Sequence, residues 1–298
     1  MKQEIKNISV SVRNRLLNIS NESNRDYNAI LSHYFQERFL YRISISPYKS
    51  QLILKGALLL MMNKVSRFRP TKDIDFLGIS VSSEVEDCTT IIKEIASMKV
   101  DDGVEFIADK IAGKKIKEDA DFDGVRIRVP YKMDTIKGYF SIDIGFGDTI
   151  TNGPLEIEFP TLLDFPSPKI LVYSFDSAVA EKFEAIAKLN FVTSRMKDFY
   201  DLNFIAEINS FNRNILRKAI ITTFKNRETN LEDRHIIFDD AFKKSSEKQT
   251  QWASFSQLNK FDHNISFYDV VTKIESFIEP VFDNKTSNNW NFQKWKWE

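Results

Sequence analysis

The sequence is poor in the residue types that build covalent cross-links and histidine metal sites. It has a single cysteine, Cys88, so no disulfide can form within the chain, and a reducing compartment is the natural expectation. Its three histidines, His33, His235 and His263, are widely spaced and show no metal-binding motif. We therefore predict no disulfide framework and assign the histidines no chemistry.

The chain also lacks net charge and a long apolar run. It has 42 basic and 42 acidic residues, whereas a domain that holds nucleic acid by bulk charge is usually basic; a local basic cleft remains compatible with this balance. The longest apolar stretch, residues 52–62, is interrupted by Lys55 and is too short to span a bilayer. The first residues contain no apolar signal core. These features predict a cytoplasmic protein that does not enter membranes.

The sequence does contain enough hydrophobic residues to form sizeable cores. Phenylalanine is abundant, at 25 of 298 residues, and hydrophobic residues make up 42% of the chain. This composition is ordinary for a folded globular protein and excludes wholesale disorder. A chain of this length is more than one small core usually organises, so we expect two lobes.

Apolar spacing predicts two regions of different character. Helical periodicity covers residues 8–20, 26–43, 50–64 (the last with a strand-like entry as an alternative) and 86–98. Strand-like runs cover 72–77, 104–111, 125–131 and 139–146. Further helices are predicted at 178–191, 194–208, 213–226, 235–245 and 266–282. The predicted fold class is α+β, with a mixed sheet flanked by helices in residues 1–165 and a helical C-terminal domain in residues 166–298.

Two carboxylates share one face of a predicted strand. Asp73 and Asp75 alternate with Ile74 and Phe76, so both carboxylates point one way while the apolar side chains point to the core. Mg²⁺ prefers oxygen ligands and keeps phosphate oxygens and waters as well. This D-x-D spacing is weak evidence alone, since acidic pairs are common at strand ends and in turns.

Asp143 repeats the pattern on a second predicted strand. Its neighbours Phe140, Ile142, Ile144 and Phe146 fall on the opposite face, and an Asp in such a strand is costly unless paired or bound to a metal. If this strand lies beside the first, three carboxylates converge, as in two-metal sites for displacement at phosphorus.

Two predicted helices carry charged residues that lean towards their apolar faces. Lys182 is followed by Ile186 and Leu189, so its ammonium could reach a phosphate, although a snorkelling lysine is the commoner outcome of this pattern. Asp198 shares a face with Leu202, and Arg195 lies three residues before it. A structural salt bridge explains that spacing equally well.

The ordered set of motifs resembles the AbiEii/AbiGii-type nucleotidyltransferase toxins, a branch of the polymerase-β-like nucleotidyltransferase superfamily. The matching segments are LKGA at 54–57, RPTKDID at 69–75, IDI at 142–144, EK at 181–182 and RMKDFYDL at 195–202. The segment RFLYRI at 38–43 is similar to the lead-in helix of that family. The superfamily usually has Gly-Gly or Gly-Ser where this chain has Gly56-Ala57, so a hydroxyl is missing while the backbone N–H remains.

The resemblance implies a role for each matching residue. Asp73 and Asp75, with Asp143 as a third carboxylate, would bind Mg²⁺ or Mn²⁺. A nucleoside triphosphate would be held by the backbone at Gly56 and Ala57 and by basic side chains, namely Lys55, Lys182, Arg195 and Lys197. Asp198 would act as a base or as an orienting group.

The resemblance further implies transfer of a nucleotide to RNA, with transfer-RNA ends as a leading acceptor, or to a protein hydroxyl. It also implies a toxin that a co-encoded antitoxin neutralises, acting in abortive infection. Basic residues between Asn212 and Lys248 could line an RNA groove, although solvated helix faces are the commoner outcome; they are Arg213, Arg217, Lys218, Lys225, Arg227, Lys243 and Lys244. The aromatic residues near the C-terminus could stack bases, although a docked tail is the commoner outcome; they are Trp290, Phe292, Trp295 and Trp297. The alternatives are a non-catalytic nucleotide- or partner-binding protein and a metal-dependent nuclease.

Overall fold

The computed structural model describes residues 7–60, 71–119, 122–259, 261 and 265–298. It divides the chain into two compact units, one formed within residues 1–64, 70–147 and 155–172, and the other including 148–154 and 173–298. Arg69 of the predicted motif, residues 61–64 of the predicted helix and His263 lie outside the described residues. No helix in the described part of the chain is long and apolar enough to cross a membrane.

The first unit is a mixed sheet with helices. Its helices are α1 (Ile8–Ser23), α2 (Tyr27–Ser44), α3 (Ala57–Leu60) and α4 (Val85–Ala96). Its strands are β1 (Leu52–Lys55), β2 (Asp73–Gly78), β3 (Glu105–Phe106), β4 (Ala112–Asp119), β5 (Phe122–Met133), β6 (Ile136–Gly145), β7 (Leu155–Glu158) and β8 (Lys169–Val172). The strand order is β3-β5-β6-β2-β1-β8-β7, with β4 paired to β5.

Strand pairing sets which residues share a face. The pairs β2–β6 and β1–β8 are parallel and the other pairs are antiparallel, so the sheet is mixed, as predicted. The apolar side chains of the alternating strands are buried on one face, as expected: Ile74, Phe76, Val125, Ile127, Val129, Phe140, Ile142 and Ile144. The charged positions between them therefore lie on the other face.

Helix α2 is buried far beyond its predicted apolar stripe. Arg42 donates to both oxygens of Asp102 at 2.7 and 3.2 Å, and both side chains are fully buried or nearly so. Glu37 accepts from the backbone N–H of Leu162, and Arg38 donates to the carbonyl of Pro166. These polar contacts fasten the 160–168 segment and the 102–104 turn to α2, and Arg38 and Glu37 form a buried ion pair at 3.3 Å.

The second unit is helical. Its helices are α5 (Phe175–Leu189), α6 (Met196–Ile208), α7 (Arg213–Asn226), α8 (Arg234–Phe238), α9 (Asp240–Lys243), α10 (Ser246–Leu258) and α11 (Phe267–Ile278). A small sheet contains β9 (Phe211–Asn212), β10 (Asn289–Asn291) and β11 (Lys296–Trp297). Arg227 binds Asp148 at 2.9 Å, and the hydroxyl of Ser177 accepts from the N–H of Thr151, so the 148–154 segment is bonded to these helices.

The predicted α+β class is confirmed, but several predicted boundaries are wrong. The predicted strand 104–111 is only the two-residue β3 followed by a 3₁₀ turn, Ala108–Lys110. The predicted helix 235–245 breaks at Asp239, whose ψ of 146° is extended. Helix α10 and strands β4, β7 and β8 were not predicted. The predicted domain boundary was 165/166, whereas β8 pairs with β1 and β7 and so extends the first unit to Val172.

Candidate active site

Strand register brings the three predicted carboxylates onto one face of the first unit. Asp75 and Asp143 are Cα partners across the parallel β2–β6 pair, and Asp73 is the partner of Ser141 one pleat away. Asp73 and Asp75 are partly exposed, whereas Asp143 is buried. The condition on which the convergence of the three carboxylates depended, that the Asp143 strand lies beside the Asp73 strand, is met in the structure.

Asp143 is engaged by an arginine that sequence reasoning left unassigned. Arg126, its register partner on β5, donates from Nε to Oδ1 at 2.8 Å and from Nη2 to Oδ2 at 2.6 Å. The bond to Asp143 raises the pKa of Arg126 above its ordinary value, and the charges of Asp73 and Asp75 add to the effect against the opposing influence of burial. Arg126 thus lies in the field of all three carboxylates.

This pairing limits what the three carboxylates can do together. Both oxygens of Asp143 accept from Arg126, and within the described ranges no three Asp, Glu, His or Cys side chains are grouped so that they could hold a metal ion. Asp73 and Asp75 retain partial exposure on the same face. That Asp143 is a metal ligand stays a prediction, whereas its contact with a guanidinium is a feature of the structure.

The turn between β1 and α3 lies against Asp75. Gly56 has φ +72°, a left-handed conformation that favours glycine. A Cβ added to Gly56 would lie 1.9 Å from Oδ2 of Asp75 and 2.8 Å from its Cβ, so only a hydrogen fits there. Glycine at this position therefore has a physical cause in the structure, namely the close approach of Asp75 to the backbone.

The residues on either side of Gly56 are buried. Lys55 is 5% exposed and is the Cα partner of Asp75, so its side chain lies on the carboxylate face of the sheet. Ala57 is 3% exposed and begins α3. The structure thus places Lys55 and Gly56 beside Asp75, and a contact of either with a triphosphate stays a prediction.

The second unit contains a separate cluster around Lys182. Its ammonium on α5 donates to Oδ2 of Asp201 at 2.7 Å and to Oδ1 of Asp198 at 3.3 Å, both on α6. The side chains of the two aspartates are at most 2% exposed, and that of Lys182 is 13% exposed. Lys182 is therefore an ion-paired lysine rather than one that snorkels into solvent.

Arg195 completes this cluster and Lys197 does not. Arg195 donates from Nε to the second oxygen of Asp198, so the predicted pair exists. Burial alone would raise the pKa of Asp198, but the positive charges, led by Lys182 and Arg195, outweigh it and hold that pKa below its ordinary value. Asp198 is consequently ionised at neutral pH and is a poor proton acceptor. The Lys197 side chain is exposed.

Arg126 and Asp201 are the two site residues that sequence reasoning missed. Arg126 lies in the strand-like run 125–131, to which no site role was given, and Asp201 was included only within the motif RMKDFYDL. The signal for Asp201 was its spacing, because residues three apart lie on the same side of a helix, which places Asp201 next to Asp198. The signal for Arg126 was the alternation of apolar and charged residues along β5, which places Arg126 on the charged face. Which residue it pairs with depends on the register between the strands.

The C-terminal aromatic residues pack against the second unit. Trp290 is 1% exposed and its indole N–H donates to the carbonyl of Ala206 at 2.8 Å. The rings of Trp297 and Phe277 are stacked at 5.9 Å, and Trp295 meets Trp290 edge to face. The C-terminal segment is therefore docked on the second unit, which was the alternative to base stacking. Trp290 cannot stack on a base because it is buried.

Several of the basic residues of 213–248 are buried. Arg213 is 8% exposed and donates to the carbonyl of Asp283, while Lys243 is paired with Glu275. Lys248 is 1% exposed and donates to a carbonyl at 2.6 Å. These three side chains are committed inside the unit, whereas Lys218, Lys225 and Lys244 are exposed, so an RNA groove in this region stays a prediction.

A family model described as "Nucleotidyl transferase AbiEii toxin, Type IV TA system" matches residues 38–279, which is most of the chain. Two crystal structures from Helicobacter pylori are similar. JHP933 is 14% identical with a TM-score of 0.47 over 86% of this chain and 92% of that one. A protein described as a candidate nucleotidyltransferase is 13% identical with a TM-score of 0.44 over 87% of this chain and 100% of that one. No curated protein matches.

Proposed function

Because this chain belongs to the AbiEii nucleotidyl transferase toxin family, we propose that it transfers a nucleoside monophosphate from a nucleoside triphosphate to a macromolecular acceptor. The observation that carries the proposal is the pair Asp73 and Asp75, partly exposed on one face of β2, with the Gly56 turn closed against Asp75. Paired carboxylates beside a tight glycine turn suit a metal-bound triphosphate.

The donor set of β2 fits one hard divalent cation. Mg²⁺ commonly binds through one or two carboxylates and completes its coordination with phosphate oxygens and waters. Asp73 and Asp75 supply such a pair, while Asp143 is engaged by Arg126. We propose that Asp73 and Asp75 hold Mg²⁺, or Mn²⁺ in its place, and that Asp143 joins only if Arg126 releases it. The bound ion would neutralise charge that builds up on the phosphates.

The proposed reaction forms one bond at phosphorus and breaks another. A hydroxyl oxygen of the acceptor attacks the α-phosphorus, the bond between that phosphorus and the bridging oxygen to the β-phosphate breaks, and pyrophosphate leaves. The hydroxyl proton passes to a base or to water. Such transfers depend on positioning and charge neutralisation more than on covalent help from the protein.

The basic residues have graded roles in the proposal. Lys55 and the backbone at Gly56 and Ala57 are the proposed triphosphate contacts of the first unit. In the second unit Lys182 is a candidate contact, and Asp198 is proposed to orient it rather than to act as the base, because its pKa is lowered. Arg195 is proposed to hold Asp198 in place through its hydrogen bond. Lys197 is proposed as a phosphate contact because its side chain is exposed.

The proposed acceptor is RNA, such as the end of a transfer RNA. The family description assigns a toxin of a type IV system, so an antitoxin encoded with it is the expected partner. We propose that the chain acts in the cytoplasm as such a toxin and that its biological setting is abortive infection of phage-infected cells.

The test is the fate of end-labelled RNA incubated with Mg²⁺, a nucleoside triphosphate and protein. Lengthening supports nucleotidyl transfer, shortening identifies the nuclease alternative, and nucleotide binding without change identifies the binding-protein alternative. Asp73→Asn and Asp75→Asn should abolish lengthening without loss of fold. Glu86→Gln, which alters an exposed acid on α4, is the matched control and should retain it.

A further inference from the structure

The carboxylate face of the sheet continues into a basic surface on strands β4, β5 and β6. Register places Lys114 opposite Arg126, Arg128 opposite Ser141, and Lys132 opposite Lys137. Tyr139 lies between Ser141 and Lys137 on the same side of β6. All these positions share the face of Asp143 because residues two apart on a strand point the same way. We call Lys114, Arg128, Tyr139 and Lys137 the β4–β6 basic face.

The β4–β6 basic face is open to solvent. Tyr139 is 54% exposed, although a large aromatic ring on a strand is commonly at least half buried. Arg128 is exposed and its guanidinium carbon lies 3.8 Å from the centre of the Tyr139 ring. Lys114 and Lys137 are exposed as well. A flat ring and a planar guanidinium side by side form a ready stacking platform.

The charges of this face are not balanced locally. Among the residues that the structure describes, no carboxylate forms an ion pair with Lys114, Arg128 or Lys137. Lys132 is paired with Glu105 at 2.9 Å, yet Lys137 faces Lys132 across the strand pair. Like charges at directly opposite positions destabilise a sheet. A chain with zero net charge therefore has a local excess of cations on this face.

The apolar side chains that these strands bury lie on the opposite face of the sheet. Val125, Ile127 and Val129 are at most 1% exposed there, so the apolar core does not need the residues of the basic face. Along β6, Lys137 is six residues from Asp143, which is about 20 Å at the rise of an extended strand. A strand of nucleic acid lying along this line would reach the carboxylates directly.

We propose that the β4–β6 basic face is the docking surface for the acceptor and that the acceptor is single-stranded RNA. Lys114, Arg128 and Lys137 would contact phosphates, and Tyr139 would stack on a base. This inference rests on the proposed function for the identity of the acceptor. A peptide acceptor fits less well, because peptides are usually recognised by an apolar groove or by a sheet edge.

The experiment measures binding directly, apart from catalysis. A fluorescent single-stranded RNA of about 12 nucleotides, within the length that such surfaces cover, is titrated with full-length protein at several salt concentrations. The triple variant Lys114→Ala/Arg128→Ala/Lys137→Ala should bind at least ten times more weakly. Loss of three phosphate contacts should also reduce the slope of log K against log salt by about 2.

The chain offers a matched control one residue away. Lys115 is as exposed as Lys114 but points to the other face of β4, near Glu84. Lys115→Ala should bind RNA like the wild type. Tyr139→Ala should weaken binding about fivefold or more, while Tyr139→Phe, which keeps the ring, should not. Thermal unfolding of each variant checks that the fold is retained.

The outcomes separate this proposal from the proposed function. RNA binding that is lost in the triple variant and kept in Lys115→Ala supports the docking surface, even if the wild type transfers no nucleotide. Equal binding by the triple variant and the wild type overturns the surface, even if transfer occurs. Tighter binding of single-stranded DNA of the same sequence, or transfer only to a protein, overturns the assignment of RNA.

Discussion

Replacing Gly56 by alanine tests the contact that positions Asp75. The backbone of Gly56 has φ +72°, and an L-residue in this left-handed region costs about 1–2 kcal/mol. The added Cβ would lie 1.9 Å from Oδ2 of Asp75 and 2.8 Å from its Cβ. Rotating the carboxylate relieves the first contact but not the second, so the turn or strand β2 must shift.

The magnitude follows from these two contributions. Forcing an extra methyl into a packed position costs about 1–3 kcal/mol, so Gly56→Ala should lower the free energy of unfolding by roughly 2–5 kcal/mol in total. Gly153→Ala separates the contributions. Gly153 has φ +79° with nothing within 4 Å of an added Cβ, so only the backbone cost of about 1–2 kcal/mol applies.

Two measurements on both variants decide the matter. Urea unfolding gives the stabilities, and calorimetry with each of the four Mg²⁺-bound nucleoside triphosphates gives their affinities. Gly56→Ala should be the less stable variant and should lose nucleotide binding, because Asp75 is displaced, while Gly153→Ala keeps it. Equal loss of stability in both, with undiminished nucleotide binding by Gly56→Ala, would refute this reasoning.

Three further changes have defined outcomes. Burial raises the pKa of Glu37 from 4.5 to about 7, so this carboxyl keeps its proton to higher pH in the folded state than in the unfolded state. The free energy of unfolding should therefore fall as pH rises between those two values, by up to about 3 kcal/mol. Glu37→Gln should remove this fall when unfolding is measured from pH 4 to 8. Asp201→Asn removes the buried carboxylate that lies closer to the Lys182 ammonium, and it should cost about 3 kcal/mol in urea unfolding, part of which Lys182→Met should restore. No loss in the single variant contradicts the ion pair. Trp290→Ala should cost about 3–5 kcal/mol in the same assay, and a change below 1 kcal/mol would contradict the docked tail.

The core strands were predictable because their local pattern and their tertiary environment agree. Val125, Ile127 and Val129 alternate with arginines, and the structure buries the apolar set on one side of β5. The same period-two pattern placed Asp143 on the charged side of β6. Strong alternation identifies a strand and its buried face without knowledge of its neighbours.

Elements held by polar or aromatic contacts were not predictable in this way. Helix α10 has no apolar stripe, because its buried residues are Lys248 and Trp252, and the lysine is satisfied by the carbonyl of Thr193. The two helices α8 and α9 read as one because nothing in the apolar spacing marks the extended backbone of Asp239. Such elements are specified by tertiary hydrogen bonds rather than by periodicity.

The candidate site shows the same division. Asp73, Asp75 and Gly56 could be predicted from local motifs, and the structure gathers them on one turn and one strand. The ion pair between Arg126 and Asp143 could not be predicted without the register of the β5–β6 hairpin, since a slip of one residue would turn Arg126 to the other face. Residue types were therefore predictable and their partners were not.

The central claim is transfer of the α-phosphate with its nucleoside, and paired labels test it most directly. The wild type and Asp75→Ala are incubated with Mg²⁺, total RNA and each nucleoside triphosphate labelled at either the α- or the γ-phosphate. We expect the α-label to become attached to RNA with the wild type only, and the γ-label to be released as pyrophosphate. Attachment of the γ-label, or equal attachment of the α-label by Asp75→Ala, would contradict the account.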